Sequence, residues 1–258
     1  LEDCRIMNLY PEFEGKVVVM TGVSSGIGLE QTKAFLQAGA IVYGADIKES
    51  VEIKEVGQKF PTLSFQQVDI RKKKDIHMWT EKIKKEILTV DILLNTAGIL
   101  DNYAPTLDTS EEQWDNIFNT NLKSMFLLTN EILPIMLKQK HGVIVNMASI
   151  AGLVAGGGGA AYTAAKHGII GYTKQLAYDY ADKGIRVNCI APGAINTPMN
   201  AADFAGDGAM AKEVARLTPA KRWAKPKEVA EMTLYLASPR ADYVHGTVFT
   251  IDGGWTVK

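Results

Sequence analysis

The stretch Val17-Val18-Val19-Met20-Thr21-Gly22-Val23-Ser24-Ser25-Gly26-Ile27-Gly28 decides how the rest of the chain is read. An unbroken apolar run rich in β-branched side chains is the pattern of a strand buried on both faces. Glycines at 22, 26 and 28 follow at once, and they permit a tight turn with close backbone approach. A helical pattern then runs through Ala38. A helix N-terminus behind a glycine turn presents unpaired N–H groups, which suit a pyrophosphate. The G-x-x-x-G-x-G spacing differs from the G-x-G-x-x-G of other dinucleotide-binding turns.

Working outward, apolar runs alternate with amphipathic ones. Strands are expected over 41–46, 63–65, 91–94, 143–147, 185–190 and 247–251. Helices are expected to end near Lys59 and Leu88, to span 111–138 with Pro134 inside, to carry Tyr162, and to span 226–237. Such alternation indicates βαβ units with right-handed crossovers. The expected fold is α/β, a single Rossmann-type domain with a doubly wound parallel sheet and helices on both faces. No linker interrupts the chain, so the domain is placed at 15–258, and residues 1–14 are read as an N-terminal extension without a motif.

Composition narrows the function classes. The formal net charge is -1, so no global field points to nucleic acid or an anionic membrane. The local run Arg71-Lys72-Lys73-Lys74 reads as a solvated helix start. No apolar stretch approaches the roughly 20 residues of a membrane span, and no basic-then-apolar leader pattern is seen; a cytoplasmic location is expected. Cys4 and Cys189 read as free thiols. His77, His141, His167 and His245 lack metal-ligand spacing, so no metal site is expected.

The chemistry sits further along. Tyr162 and Lys166 are four apart on one helix and share a face. An ammonium beside a phenol favours the phenolate, which predicts a lowered tyrosine pKa and a group fit for proton exchange. Ser149 ends the 143–147 strand, where ligands bind in open α/β sheets. Small residues surround the pair in Ala160-Ala161-Tyr162-Thr163-Ala164-Ala165-Lys166-His167-Gly168.

These motifs, in this order with Asp69, Asn95-Thr96-Ala97-Gly98, Asn121, Pro192-Gly193 and Asp252-Gly253-Gly254, resemble the classical short-chain dehydrogenase/reductases over roughly residues 16–255. The resemblance implies seven strands in the order 3-2-1-4-5-6-7. It also implies a catalytic set of Asn121, Ser149, Tyr162 and Lys166. Asn121 would kink its helix and complete a proton relay through water, and Ser149 would orient the substrate oxygen. Cofactor contacts are implied for Gly22, Ser24, Ser25, Gly26, Ile27, Gly28, Asp46, Ile47, Asp69, Ile70, Asn95, Ala97, Gly98, Tyr162, Lys166, Pro192, Gly193, Ile195 and Thr197. Asp46 closes the second strand, where a carboxylate accepts from ribose hydroxyls and repels a 2′-phosphate. NAD(H) is therefore expected over NADP(H). Thr96 departs from the commoner Asn-Asn-Ala-Gly and puts one local hydrogen bond in doubt.

The expected partner is a small carbonyl or alcohol, such as a secondary alcohol, diol or polyol and its ketone. Residues 200–210 read as a mobile lid, and the run 156–159 of four glycines reads as tolerance in the site. The nearest rival is a 3-oxoacyl-[acyl-carrier-protein] reductase using NADPH, which Asp46 and Tyr178 disfavour and Lys140 retains in part. A non-catalytic NAD-binding sensor is the rival of another class. Apolar residues on more than one helix face, at Met125, Phe126, Leu127, Leu128, Ile132, Leu133, Ile135 and Met136 and at Ile169, Ile170, Tyr172, Leu176 and Tyr178, predict a homo-oligomer, a dimer or tetramer.

Overall fold

The computed structural model describes residues 10–257. Its strands are β1 (Val17–Thr21), β2 (Ile41–Asp46), β3 (Leu63–Gln67), β4 (Ile92–Asn95), β5 (Gly142–Met147), β6 (Ile185–Pro192) and β7 (Val248–Ile251). They form one parallel sheet of seven strands in the order β3-β2-β1-β4-β5-β6-β7. The helices are α1 (Gly26–Gln37), α2 (Val51–Lys59), α3 (Lys73–Glu86), α4 (Glu111–Phe118), α5 (Ser124–Gln139), α6 (Ala160–Tyr180), α7 (Ala209–Leu217) and α8 (Pro226–Ala237).

The period of two along each strand sorts the core into two layers. Val18, Met20, Val42, Leu94 and Val145 pack under α1, α2 and α8 through Leu29, Phe35, Ile53, Val56 and Leu234. Val17, Val19, Tyr43, Leu93, Ile144 and Val187 face the other way, onto Ile76, Trp79, Leu128, Ile132 and Leu176 of α3, α5 and α6. The strands are therefore apolar on both sides, and the fold is the doubly wound one expected. Strand order reverses between β1 and β4, opening a crevice at their carboxyl ends where the glycine turn and the residues after β4 meet.

The structure departs from the sequence reading in several places. The expected helix over 111–138 is divided, and the break falls at Asn121, where the resemblance implies a kink: α4 passes into a turn of π-helix, Asn119–Lys123, before α5 begins. A π-turn widens the helix by one residue and is common at functional positions; this one contains Asn121. The helix expected to reach Leu88 stops at Glu86, because Leu88 is 94% exposed and has no face to bury. The lid region is largely helical, with 3-10 turns over Pro198–Phe204 and then α7. It is pinned by the Phe204–Trp223 ring contact at 4.9 Å and by the Trp223 Nε1–H donated to the Ala211 carbonyl at 2.8 Å. At the start of the chain, Phe13 in the turn Pro11–Phe13 is 2% exposed and packs edge-on against Phe35 at 5.1 Å. The segment at 11–13 thus belongs to the domain core, not to an extension, while residues 1–9 and Cys4 lie outside the described residues. Cys189 is a buried free thiol, pushed up to about 11 by burial. Among the described residues no helix is long and apolar enough to cross a membrane.

Candidate active site

A cavity of about 850 Å³ runs along the carboxyl ends of the strands, from Asp46 and Asp69 at one end to Ser149, Tyr162 and Trp223 at the other. Its floor is the glycine turn. Gly22 and Gly26 adopt φ +78° and +53°, and a Cβ on Gly22 would lie 2.9 Å from the Ala97 backbone. A Cβ on Gly28 would run into the Gly22 carbonyl oxygen. Ser25 precedes α1 without a side-chain cap bond, so the first-turn N–H groups of that helix border the cavity uncapped. This is the donor set that an anionic diphosphate needs.

At the far end, Asp46 Oδ2 accepts the Ser24 N–H at 3.0 Å and Oδ1 the Ile47 N–H at 2.7 Å. Two backbone bonds fix the carboxylate at the cavity edge. Ser24 itself is buried and donates its hydroxyl to the Lys48 carbonyl at 2.7 Å; it braces the loop and does not line the cavity. Asp69 receives both arms of Arg71, from Nε and Nη2 at 2.8 Å each, and Arg71 Nη1 reaches Asn116 Oδ1 at 3.0 Å. The Arg71 guanidinium holds the Asp69 carboxyl down at about 2. Arg71 and Asn116 line the cavity. The basic run reads in the sequence as solvated surface, whereas the structure makes Arg71 a wall residue of the cavity; the Asp-x-Arg spacing is the signal for it.

Ile27, Ile47, Ile70, Ala97, Gly98, Pro192, Gly193, Ile195 and Thr197 also line the cavity. Asn95 does not. It is buried and donates to Asn146 Oδ1 at 2.9 Å, and Asn146 donates onward to Thr173 Oγ1 at 2.9 Å. That ladder ties β4 to β5 and α6 behind the site. The departure at Thr96 is accommodated by a bond from its hydroxyl to Gln31 Oε1 at 2.7 Å.

The four candidate catalytic residues converge at the other end. Ser149 caps the turn Ile150–Gly152 by accepting the Ala151 N–H at 3.1 Å, and it hydrogen-bonds the Tyr162 phenol. Lys166, 3% exposed, donates to the Met147 carbonyl at 2.9 Å, with Nζ 5.4 Å from the Tyr162 ring centre. Asn121 is fully buried and stapled to Ile99, accepting its N–H at 2.8 Å and donating to its carbonyl at 2.9 Å. Gly98 brings the two together, since a Cβ there would stand 3.3 Å from Asn121 Oδ1 and 3.6 Å from Lys166 Nζ. Thr120, beside Asn121, lines the cavity with a buried hydroxyl that has no protein partner.

The electrostatic balance reverses one expectation. Burial pushes the Tyr162 phenol up to about 12, opposed by the Ser149 hydrogen bond, and burial pulls the Lys166 ammonium down to about 8. Desolvation by burial is the largest cause of both shifts. The glycine run is also less tolerant than read. A Cβ on Gly158 would strike the Tyr162 ring, and one on Gly159 would come within 2.5 Å of the Ala104 carbonyl oxygen. Beyond these, Leu100, Tyr103, Ile150, Met199, Met210, Val214, Trp223 and Trp255 wall the chamber at this end of the cavity; the aromatic and methionine positions come from distant segments and carry no local motif. His77, Glu81 and Glu131 cluster on α3 and α5 outside this cavity, and the Lys84 ammonium already donates to Glu81 at 3.0 Å and Glu131 at 2.8 Å.

Comparison with known proteins gives the same reading. A family model described as enoyl-(acyl carrier protein) reductase matches residues 22–256. The chain is 35% identical over 254 residues to 3beta-hydroxysteroid dehydrogenase 2 of Eggerthella lenta, covering 95% of this chain and 96% of that one. It is 38% identical over 247 residues to the 3-oxoacyl-[acyl-carrier-protein] reductase FabG of Thermotoga maritima, covering 95% and 99%. Among solved structures, 4-hydroxyisoleucine dehydrogenase complexed with NADH superposes with a TM-score of 0.88 at 34% identity, covering 95% of this chain and 100% of that one. ElxO with NADP bound gives 0.88 at 28% identity, covering 95% and 100%. Identity of 35–38% over 95% of the chain, with a family model over residues 22–256, places the protein: it belongs to the short-chain dehydrogenase/reductase family and is an NAD(P)-dependent oxidoreductase.

Proposed function

We propose that the protein is an NAD(H)-preferring dehydrogenase or reductase of a secondary alcohol and its ketone with a largely apolar body. The observation that carries this reading is the pairing of charges along the cavity. Arg71 and Lys166 are the cations among its lining residues. The first is occupied by Asp69 and the second donates to Met147 beside Tyr162. Nothing in the chamber walled by Met199, Met210, Val214, Trp223 and Trp255 offers a fixed cation to a carboxylate or phosphate. The Asp46 carboxylate stands where the adenosine ribose would lie and disfavours a 2′-phosphate.

The turn of Gly22, Gly26 and Gly28 would hold the diphosphate, Asp46 the adenosine ribose, and Lys166 with Tyr162 the nicotinamide ribose. When bound, the nicotinamide supplies or accepts the hydride. The chain's own residues handle the oxygen. Ser149 accepts the Ala151 N–H on a lone pair, so its O–H is the donor that acts on the Tyr162 phenol and can turn to a carbonyl oxygen placed between the two. Tyr162, a neutral phenol at ordinary pH, is ready to give its proton to that oxygen in reduction; in oxidation it must lose the proton first, and the Lys166 charge lowers that barrier. Asn121 fixes Ile99 and the π-turn behind Lys166.

Turnover of NADH against a panel of apolar cyclic ketones, polyol-derived ketones and an acyl-carrier thioester tests the reading. The apolar ketones should be reduced with the highest kcat/KM. Preference for the thioester would instead establish the carrier-protein reductase reading, which the likeness to FabG favours, and tight cofactor binding without any turnover would establish a sensor. Self-association through α5 and α6 belongs to the same proposal: Phe126 meets Tyr172 at 6.4 Å on their outer side and Tyr178 is exposed. Met125, Leu128, Ile132, Leu133 and Met136 are consumed by the chain's own core. Sedimentation at micromolar concentration should show more than the 28.2 kDa species.

A further inference from the structure

The helix that carries Tyr162 begins without a cap of its own. α6 follows Gly159, which has no side chain to accept the N–H groups of the first turn. The acceptor comes from far upstream. Asp101, 1% exposed, takes the Gly159 N–H at 2.8 Å on Oδ1 and the Tyr162 N–H at 2.8 Å on Oδ2. The Ala104 carbonyl takes the Ala160 N–H at 3.0 Å. The loop after β4 is thus fastened to the start of α6 at three points, Gly159, Ala160 and Tyr162.

The loop is held in an unusual shape to do this. Asn102 and Tyr103 have φ of 55° and 59°, a region that bulky side chains seldom enter. Asp101 Oδ1 also takes the Tyr103 N–H at 3.2 Å, and Gln113 of α4 donates to the Asp101 carbonyl at 2.9 Å. Strain of this kind persists where surrounding bonds over-determine it. Glycine at 159 is required for the closure, because a Cβ there would lie 2.5 Å from the Ala104 carbonyl oxygen and 2.6 Å from Asp101 Oδ2.

We infer that Asp101 is a positioning residue for the reaction: by capping α6 across the chain it sets where the Tyr162 phenol stands against Ser149, and it holds Tyr103 at the chamber wall. The inference rests on the role of Tyr162 proposed above. The anchored atom is the backbone N–H of Tyr162 itself, so slack in this bond moves the reactive side chain directly. A carboxylate at this place is also favoured by the helix dipole. Its charge has a second effect. The groups facing the Tyr162 phenol are Asp101 and Tyr103 from the loop after β4, Ser149 from the end of β5, and Lys166 on its own helix. Asp101 opposes ionisation of the phenol, so removing its charge makes the phenol more acidic.

The test compares wild type with Asp101→Asn and Gly159→Ala, reading the Kd for NADH, kcat and KM for ketone reduction, and the pH profile of alcohol oxidation. In Asp101→Asn the amide can accept only one of the two N–H groups that anchor α6. Its kcat should fall roughly tenfold to hundredfold, as a small misplacement of a reacting group does. KM and the NADH Kd should change by no more than about threefold, far less than kcat, since the glycine turn and Asp46 are untouched and only Tyr162 and Tyr103 are displaced. The limb of the oxidation profile should move to lower pH. Gly159→Ala keeps the charge, so it should lose kcat with the limb in place; if Asp101→Asn fails to fold, this variant carries the test by the same kcat-against-KM split. Wild-type kcat and profile in folded Asp101→Asn would overturn the inference, as would a lowered Tm with full activity. Absence of turnover by the wild type would count against the proposed function instead. In that case amide exchange in the apoprotein decides: Asp101→Asn must speed exchange at Gly159 and Tyr162, and unchanged protection overturns the inference.

Discussion

Replacing Asp46 with alanine tests how the cavity chooses its dinucleotide. A 2′-phosphate about 4 Å from a fixed carboxylate, at an effective dielectric near 20, meets on the order of 4 kcal/mol of unscreened repulsion. Solvent and salt reduce this to roughly 1–3 kcal/mol, or about tenfold to hundredfold in Kd. The upper half of that range is expected, because the carboxylate cannot swing away without giving up the Ser24 and Ile47 N–H groups at 3.0 and 2.7 Å. Asp46→Ala removes the charge and also the acceptor for ribose hydroxyls. NADPH should therefore bind about tenfold more tightly than to wild type while NADH binds more weakly. Asp46→Asn, which keeps one acceptor, should fall between. Trp223 and Trp255 line the cavity, so their fluorescence offers a direct titration signal, and repeating it at higher salt should narrow the wild-type gap. Equal or tighter binding of NADPH by the wild type would refute the reasoning.

Other perturbations have signs fixed by the same geometry. Asn121→Ala orphans the Ile99 N–H and carbonyl in the interior; a loss of about 2–4 kcal/mol in unfolding free energy is expected by denaturant titration. Gly28→Ala forces a methyl into the Gly22 carbonyl and should abolish dinucleotide binding in a calorimetric titration, since backbone must move. Arg71→Met frees Asp69 and Asn116, and its exposed pairing predicts only a severalfold rise in NADH Kd. Lys166 is pulled down to about 8 by burial, so the unfolded chain holds more protons than the native one between about pH 8 and its ordinary value near 10.4. Stability of the apoprotein should therefore rise with pH across that window, and Lys166→Met should lose the rise when followed by thermal unfolding.

The legible part of this protein is the part built from local pattern. Buried strands read as unbroken apolar runs, the glycine turn sits where a strand passes into a helix, and Tyr162 and Lys166 share a helix face by spacing alone. What stayed hidden depends on contacts between distant segments. Asp101 belongs to no sequence motif, and only the fold sets it against Gly159 and Tyr162. Gly158 and Gly159 looked permissive because their neighbours in space, the Tyr162 ring and Ala104, are not their neighbours in sequence. The π-turn at Asn121 leaves no mark in helical periodicity, since one added residue only rotates the faces slightly, and only the family motif points to a kink there. Phe13 appeared to lie outside the domain because a single aromatic carries no period, although Phe35 gives it a place in the core. The phenol's acidity was misjudged for the same reason: spacing shows the lysine, but only the fold shows how deeply both groups are buried.

The most direct test of the central claim is Tyr162→Phe, measured for NADH binding and for ketone reduction in the same preparation. The substitution removes only the hydroxyl from a ring already packed against Gly158. The account predicts a folded protein with an NADH Kd within about threefold of wild type and a kcat lowered by roughly 10²–10⁴, the range that general acid–base catalysis contributes. Undiminished turnover by Tyr162→Phe would contradict it.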